Sequence, residues 1–518
     1  MNGTVYLALI FLCALFEDAS SAKILAIMLV PSTSHLFWYS KYLRGLLARG
    51  HEITYIGVDR IVPGDPRLRQ ITFDKMREDV LGSDYMVQRA GDGPIEASLM
   101  LDRWDHDVSE YVKKSAIFRD VLRIVKTERF DLVLHDISIC MFMIGAANLS
   151  GKDTPVVGLT PFGRPSWVLD VLENPVMYSS HPHSFLPYGE EMSFIQRVNN
   201  VLFYMFSWIT RSVYMIEQNI LAKDAFGNDL EPLEKILGRM NIIMVNSNEG
   251  LDFPYPKVPG LIHVGGLHID PPKPLPEEIR SYLDNATHGA VYFSLGTNIF
   301  TSHLSKEKLA MLSDAFRQLA PVRILIKWET DENVKMPENV KLLKWIPQND
   351  VLAHPNVVLF FTHSGLLSTQ EAVYHGVPLL GMPFALDQHA NLKKCTDKGM
   401  AEGLDYTTMT TEIVLEKMRK IIGDPKYKEN AKKLSAIYRD TMEKPLDKAI
   451  FWTEYALRHK GAPHLSLFAR RMAWYEKTQL DVCLFLLILL LHILFVVFKV
   501  LQWLWRRWRK EDTKTKTS

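Results

Sequence analysis

Between Trp345 and Asn391 the chain spaces an indole, amides, an imidazole, hydroxyls and carboxylates around a short apolar run, VVLFF (357–361). That run reads as a buried strand, and it delivers Thr362-His363-Ser364-Gly365 to a turn from which a helix starts. A helix N-terminus offers unpaired N–H groups and the positive end of a dipole, which suits a diphosphate. Gly365 allows close backbone approach, while His363 and Ser368 add side-chain donors. Glu371, one turn further on, is placed to accept from ribose hydroxyls. Trp345 offers a flat face to a base, and Gln348 an amide to the base's polar edge. Asp387 and Gln388 follow the next strand, where a carboxylate and an amide hold sugar hydroxyls. Singly these residues have plainer uses: a histidine before a helix is more often a cap, and a lone tryptophan is more often packing.

The elements that must position them are α/β. KILAIMLV (23–30) reads as a strand buried on both faces, LFWYSKYLRGLLARG as a helix, and EITYIG (52–57) as the next strand. FDLVLHD (130–136) reads as strand then loop, IGAANL as helix, and TPVVGLT (154–160) as strand. DPPKPLPEE (270–278) breaks the periodicity as a linker. The pattern then restarts with GAVYFSLG (289–296), a helix through LSKEKLAMLSDAFRQLA, and the strand VRILIKWE. Two facing doubly wound domains follow, with ligands beyond the carboxyl ends of the strands. Between Ser179 and Ile220 an aromatic-rich helix is either a core or lid element or one dipping into a membrane leaflet.

Length supports two domains, since 518 residues exceed one hydrophobic core. A net charge of +1 excludes nucleic acid as a partner. Cys13, Cys140, Cys395 and Cys483 show neither metal-ligand spacing nor a disulfide framework.

Both ends carry targeting signals. Val5–Phe16 is an apolar run followed by small residues up to Ala22, the shape of a cleavable secretory leader; an uncleaved anchor is the alternative. Leu480–Trp505 is long enough to span a bilayer. Arg506, Arg507, Arg509, Lys510, Lys514 and Lys516 outnumber Arg470, Arg471 and Lys477 before it, which puts the C-terminus in the cytoplasm. The terminal KTKTS resembles a dilysine retrieval signal or is simply a basic tail on anionic lipid. Sequons at Asn148 and Asn285 would be lumenal.

The segment WIPQ, then THSG, then Glu371, then Asp387-Gln388 resembles the signature of the UDP-glycosyltransferase family, and FSLGT (293–297) resembles that family's FSLGS element. The likeness runs over nearly the whole chain and is strongest from Gly289 to Gly403. Ser364 and Leu367 stand where many members have Gly and Asn, and neither removes a backbone donor.

The resemblance implies a GT-B fold, two Rossmann-like domains plus one C-terminal transmembrane helix. It gives a leader (1–22), an acceptor domain (23–269), a linker (270–280) and a UDP-sugar domain (281–445). Helices returning toward the first domain (446–479), a span (480–505) and a cytoplasmic tail (506–518) complete it. It places Thr297 near the phosphates, His35 as the base and Asp136 as the carboxylate that orients it. It implies inverting transfer without a metal, from UDP-glucose or second UDP-glucuronate, to a small lipophilic acceptor in the endoplasmic reticulum lumen. Homo- or hetero-oligomerisation stays open. The competing readings are a UDP-sugar epimerase or hydrolase and a non-catalytic escort subunit.

Overall fold

The computed structural model describes residues 21–62, 64–81, 85–331 and 334–515. Almost all of the leader (1–22) and the last tail residues (516–518) lie outside these. The chain divides into a body ending at Leu465 and a second unit starting at Ser466.

Seven strands build one sheet: β1 (Lys23–Met28), β2 (Glu52–Gly57), β3 (Leu68–Thr72), β4 (Leu132–Asp136), β5 (Val156–Thr160), β6 (Ile243–Val245) and β7 (Leu261–His263). Six build the other: β8 (Ala290–Ser294), β9 (Arg323–Lys327), β10 (Val340–Leu343), β11 (Val357–Thr362), β12 (Leu379–Gly381) and β13 (Ala401–Gly403). The orders are β3-β2-β1-β4-β5-β6-β7 and β10-β9-β8-β11-β12-β13, with every pairing parallel. The order reverses direction between β1 and β4, and again between β8 and β11. At each reversal the flanking helices lie on opposite faces, so a crevice opens beyond the strand ends.

Burial explains the strands. Ile24–Met28 are all buried because helices cover both faces of the sheet. On β8, Val291 and Phe293 enter one apolar cluster while Ala290 and Tyr292 enter the cluster on the opposite face, as the two-residue pleat requires. β3, β6, β7, β10 and β13 have no counterpart in the sequence reading; IMV and LIH are buried but only three residues long. LRQIT, VKLL and AEG are short, partly exposed edge or near-edge segments without a continuous apolar run.

Seven helices matter below. They are α1 (Thr33–Ala48), α2 (Pro94–Lys114), α3 (Phe194–Phe226), α4 (Leu366–His375), α5 (Gln388–Asp397), α6 (Pro445–Arg458) and, in the second unit, α7 (Leu480–Thr515). α1 begins earlier than its apolar spacing suggests, because Ser32 takes the extended N-cap conformation. His35 therefore sits in the helix's first turn and not in a loop. Asp136 is likewise the last residue of β4, not a loop residue. The aromatic-rich helix starts only at Phe194, where Ser193 and Gln196 form a capping box. Pro182 and Pro187 lie in the irregular segment before it.

Residues 270–276 are without regular structure, and Glu277–Asp284 is helical. α6 packs beneath the first sheet: Ala449 and Ile450 share a cluster with Trp38, Leu43 and Leu46 of α1. Arg49 forks onto Glu454 at 2.8 and 3.2 Å, and Tyr42 bonds Thr453. In the second unit, Leu480–Arg509 is the one helix among the described residues long and apolar enough to cross a membrane.

Candidate active site

A cavity of about 900 Å³ receives the carboxyl ends of both sheets. His35, Thr297, Trp345, Gln348, His363, Gly365, Ser368, Glu371, Asp387 and Gln388 all line it. Asp136 does not; it lies buried behind that wall, one strand over from β1.

On the β8/β11 side the backbone is shaped around one imidazole. Gly296, at φ +87°, and Gly365 flank His363 so closely that a Cβ on Gly296 would stand 2.6 Å from His363 Cε1. One on Gly365 would stand 2.3 Å from Nε2. Burial drops the pKa of His363 to about 4, so the ring is neutral at pH 7. Gly365 is the N-cap of α4, which aims the helix's free N–H groups into the cavity. Ser364 takes φ 63°, the left-handed region, where glycine would sit without strain. Thr297 Oγ1 is buried without a protein partner.

Lys327, at the end of β9, was not foreseen. Its amine is buried in the cavity wall and donates to Gly296 O at 2.6 Å. Burial lowers its pKa, while the Glu329 carboxylate opposes that. The only signal was a lone lysine ending an apolar strand, and side-chain direction there depends on the tertiary fold.

Gln348 donates to Ser368 Oγ at 3.0 Å and to Glu371. Burial raises Glu371 to about 7, against the Gln348 bond that lowers it. Trp345 is 61% exposed and meets Phe37 of α1 with ring centroids 6.1 Å apart, across the mouth of the cavity. Gln388 Oε1 accepts from Phe384 N at 2.7 Å, holding its own loop. Asp387 accepts from Asn391 at 2.8 Å, and burial raises its pKa.

On the β1/β4 side His35 is buried, its ring edge-on to Phe162 at 4.9 Å, and Nδ1 has no hydrogen bond. Desolvation lowers its pKa to about 3. Asp136 is bonded not by His35 but by two other donors: Tyr39 OH on one oxygen and Ser138 N on the other, the latter at 2.6 Å. Burial raises it to about 6. Tyr39 lies one turn beyond His35 on α1, the two rings perpendicular at 6.1 Å. Asn298 donates to Ser32 Oγ at 2.8 Å, tying the loop after β8 to the start of α1. Among the described residues no cluster of His, Cys, Asp or Glu could hold a metal ion.

Two parallel Rossmann-type sheets whose reversal points open on one cavity define the GT-B class of fold, and solved structures agree. Spinosyn forosaminyltransferase SpnP superposes with a TM-score of 0.53 over 85% of this chain and 100% of its own, at 17% identity. Glycosyltransferase VinC in complex with DTDP also gives 0.53, over 85% and 99%, at 16% identity. The sequence profile described as "UDP-glucoronosyl and UDP-glucosyl transferase" matches residues 96–515, and the chain belongs to that family of glycosyltransferase enzymes. UDP-glycosyltransferase UGT5 of Dactylopius coccus is 38% identical over 73% of this chain and 71% of its own length. UDP-glucosyltransferase 2 of the same organism is 31% identical over 93% of each. Human UDP-glucuronosyltransferase 2B7 is 28% identical over 94% of each.

Proposed function

We propose that the protein transfers a hexose, glucose first and glucuronic acid second, from its UDP-sugar to a hydroxyl of a small lipophilic acceptor, with inversion and without a metal. The observation that carries this is the single cavity joining His35, on the helix after β1, to the α4 N-terminus, after β11. The similarity to UDP-glucosyltransferase 2 supports glucose.

The apolar half of the wall, with Phe37, Met86, Met100, Trp104 and Phe162, suits a lipophilic acceptor. A neutral His35 Nε2 takes the acceptor proton as the oxygen attacks the anomeric carbon from the side opposite the phosphate. One displacement inverts that carbon. The resulting imidazolium is stabilised by the Asp136 charge behind it. Negative charge growing on the departing UDP is met by the α4 N–H groups, Thr297, His363 and Lys327, a set supplying the stabilisation that a divalent cation gives elsewhere. Glu371 and Gln348 hold the ribose and base, and Asp387 and Gln388 hold the sugar. The Leu480–Arg509 helix anchors the chain once in the endoplasmic reticulum membrane, with the body lumenal.

Detergent-solubilised membranes incubated with UDP-glucose or UDP-glucuronate, phenols and steroids test this in the presence of EDTA. Acceptor-dependent UDP release with one donor, abolished by His35→Ala, is the expected result. Release that needs added divalent metal, or that survives His35→Ala, overturns the mechanism.

A further inference from the structure

A second cavity, of about 50 Å³, adjoins the first. The loop after β5, the segment 181–188 and α5 form most of its wall, and it shares only Phe162 and Asp387 with the lining of the main cavity. Four buried side-chain atoms around it have no hydrogen-bond partner in the protein: Arg164 Nη1, Trp167 Nε1, His181 Nε2 and Ser184 Oγ. The surroundings do satisfy other polar groups. His183 Nε2 is bonded to Ser166 and Ser207 at 3.2 and 3.3 Å, and its Nδ1 accepts from Phe185 N at 3.2 Å. The segment is also pinned, because Asn200 of α3 donates to Tyr178 O and His181 O at 2.8 and 2.7 Å and accepts from His183 N at 2.8 Å. Buried polar atoms are nearly always paired, so four orphans around one void mark a place for a group rich in acceptors.

Charge narrows the group. Lys394 of α5 is paired with Asp252 at 2.5 Å. Burial opposes ionisation of Asp252, but Lys394 and Arg164 hold its pKa at about 2. Arg164 lies 3.8 Å over the Tyr255 ring and donates to a carbonyl, Phe253 O, at 3.3 Å. Among the described residues no carboxylate is in direct contact with it, so its charge is free for a ligand. Burial, and after it the Arg164 charge, lowers the His181 pKa to about 3, so that ring is neutral at pH 7 and carries one N–H. Asp387 is the one carboxylate lining the void; burial raises its pKa, while Asn391 and Lys394 oppose that. A hydroxymethyl group brings this set one oxygen, whereas a carboxylate brings two and a charge to match the guanidinium. The void has room for a carboxylate but not for a sugar ring.

We propose that this pocket is a subsite for the C6 carboxylate of a uronic acid donor, and that Arg164 sets how well the protein uses UDP-glucuronate beside UDP-glucose. Position makes the donor the source of that carboxylate. Asp387, assigned above to the sugar, borders both cavities. Phe37, Met86 and, on α2, Met100 and Trp104, which form the acceptor wall, border only the main one. This rests on the transfer reading above and supplies the cation that a uronate needs.

The full chain in detergent is assayed for kcat/KM with UDP-glucuronate and with UDP-glucose, each with the same uncharged phenol; a third arm pairs UDP-glucose with 4-hydroxybenzoate. Arg164→Leu should lower the glucuronate-to-glucose ratio roughly 10- to 100-fold, the loss of one charge-assisted hydrogen bond, and Arg164→Lys should restore part of it. An unchanged ratio in Arg164→Leu overturns the proposal, whether both rates hold or both fall, since a water-filled void or a purely structural arginine gives that result. So does an unaltered protein that transfers from UDP-glucose and never from UDP-glucuronate, which leaves the transfer reading standing. No UDP release with either donor overturns both. A fall seen with 4-hydroxybenzoate and absent with UDP-glucuronate moves the carboxylate to the acceptor and overturns the donor assignment.

Discussion

In the proposed mechanism the carboxylate behind the base is itself held by a third side chain. Tyr39 OH donates to Asp136, and that bond lowers the carboxyl's pKa against the burial that raises it to about 6. The proposed transfer needs Asp136 charged, so activity should fall as pH drops through about 6, and Asp136→Asn should be nearly inactive at every pH. Removing the hydroxyl in Tyr39→Phe takes away a donor to the charged form worth about 1.5–3 kcal/mol, so the acid limb of kcat/KM should move up by roughly one pH unit or more. A purely structural role for Tyr39 would lower activity without moving the limb. Lys327 bears on the other end of the reaction. Lys327→Gln should cut kcat roughly 100-fold, in line with loss of one preorganised donor to a leaving group, while acceptor KM stays near its original value.

In the proposed transfer the element that sets donor geometry is the β11–α4 turn. Gly365 and Gly296 enclose His363, and the α4 N–H groups point beside it. Gly365→Ala drives a methyl into the imidazole. A displacement near 1 Å at a reacting centre costs about 100-fold, so kcat/KM for the donor should fall on that order while thermal stability changes little. Steady-state kinetics with varied UDP-sugar, beside a melting curve, checks this. The same turn shows why Ser364 is tolerated: it adopts the left-handed conformation at a cost of about 1–2 kcal/mol relative to glycine, but its own peptide still turns the chain toward α4.

Across the whole molecule, α6 ties the end of the body beneath the first sheet. Ile450→Ala empties space beside α1 and should destabilise the protein by about 2–5 kcal/mol, read as a lower midpoint in urea. If the body is lumenal, the two sequons should differ. Asn285 is exposed at the end of Glu277–Asp284. Asn148 is half-buried, and its side-chain oxygen is held by Arg239 at 2.6 Å. A glycosidase digest should therefore remove one glycan, lost in Asn285→Gln and kept in Asn148→Gln. Two glycans, or one on Asn148, would contradict the accessibility argument.

The sequence by itself determined the alternating α/β halves, the C-terminal apolar helix and the His363–Gly365 turn. These depend on local periodicity, on apolar runs and on turn chemistry carried within a few residues. The WIPQ, THSG and DQ spacings carried the family resemblance for the same reason. Only the tertiary structure decided the rest. Lys327 faces the cavity because β9 lies beside β8, a pairing between residues far apart in sequence. Tyr39 meets Asp136, 97 positions away, because β1, which leads into α1, pairs with β4, so the hydroxyl that holds the carboxylate could not be read from spacing. The apolar stripe of α3 could equally have been core. Which face was outward was set by the hydrogen bonds of Asn200 and Gln218 to distant backbone, and no periodicity records those.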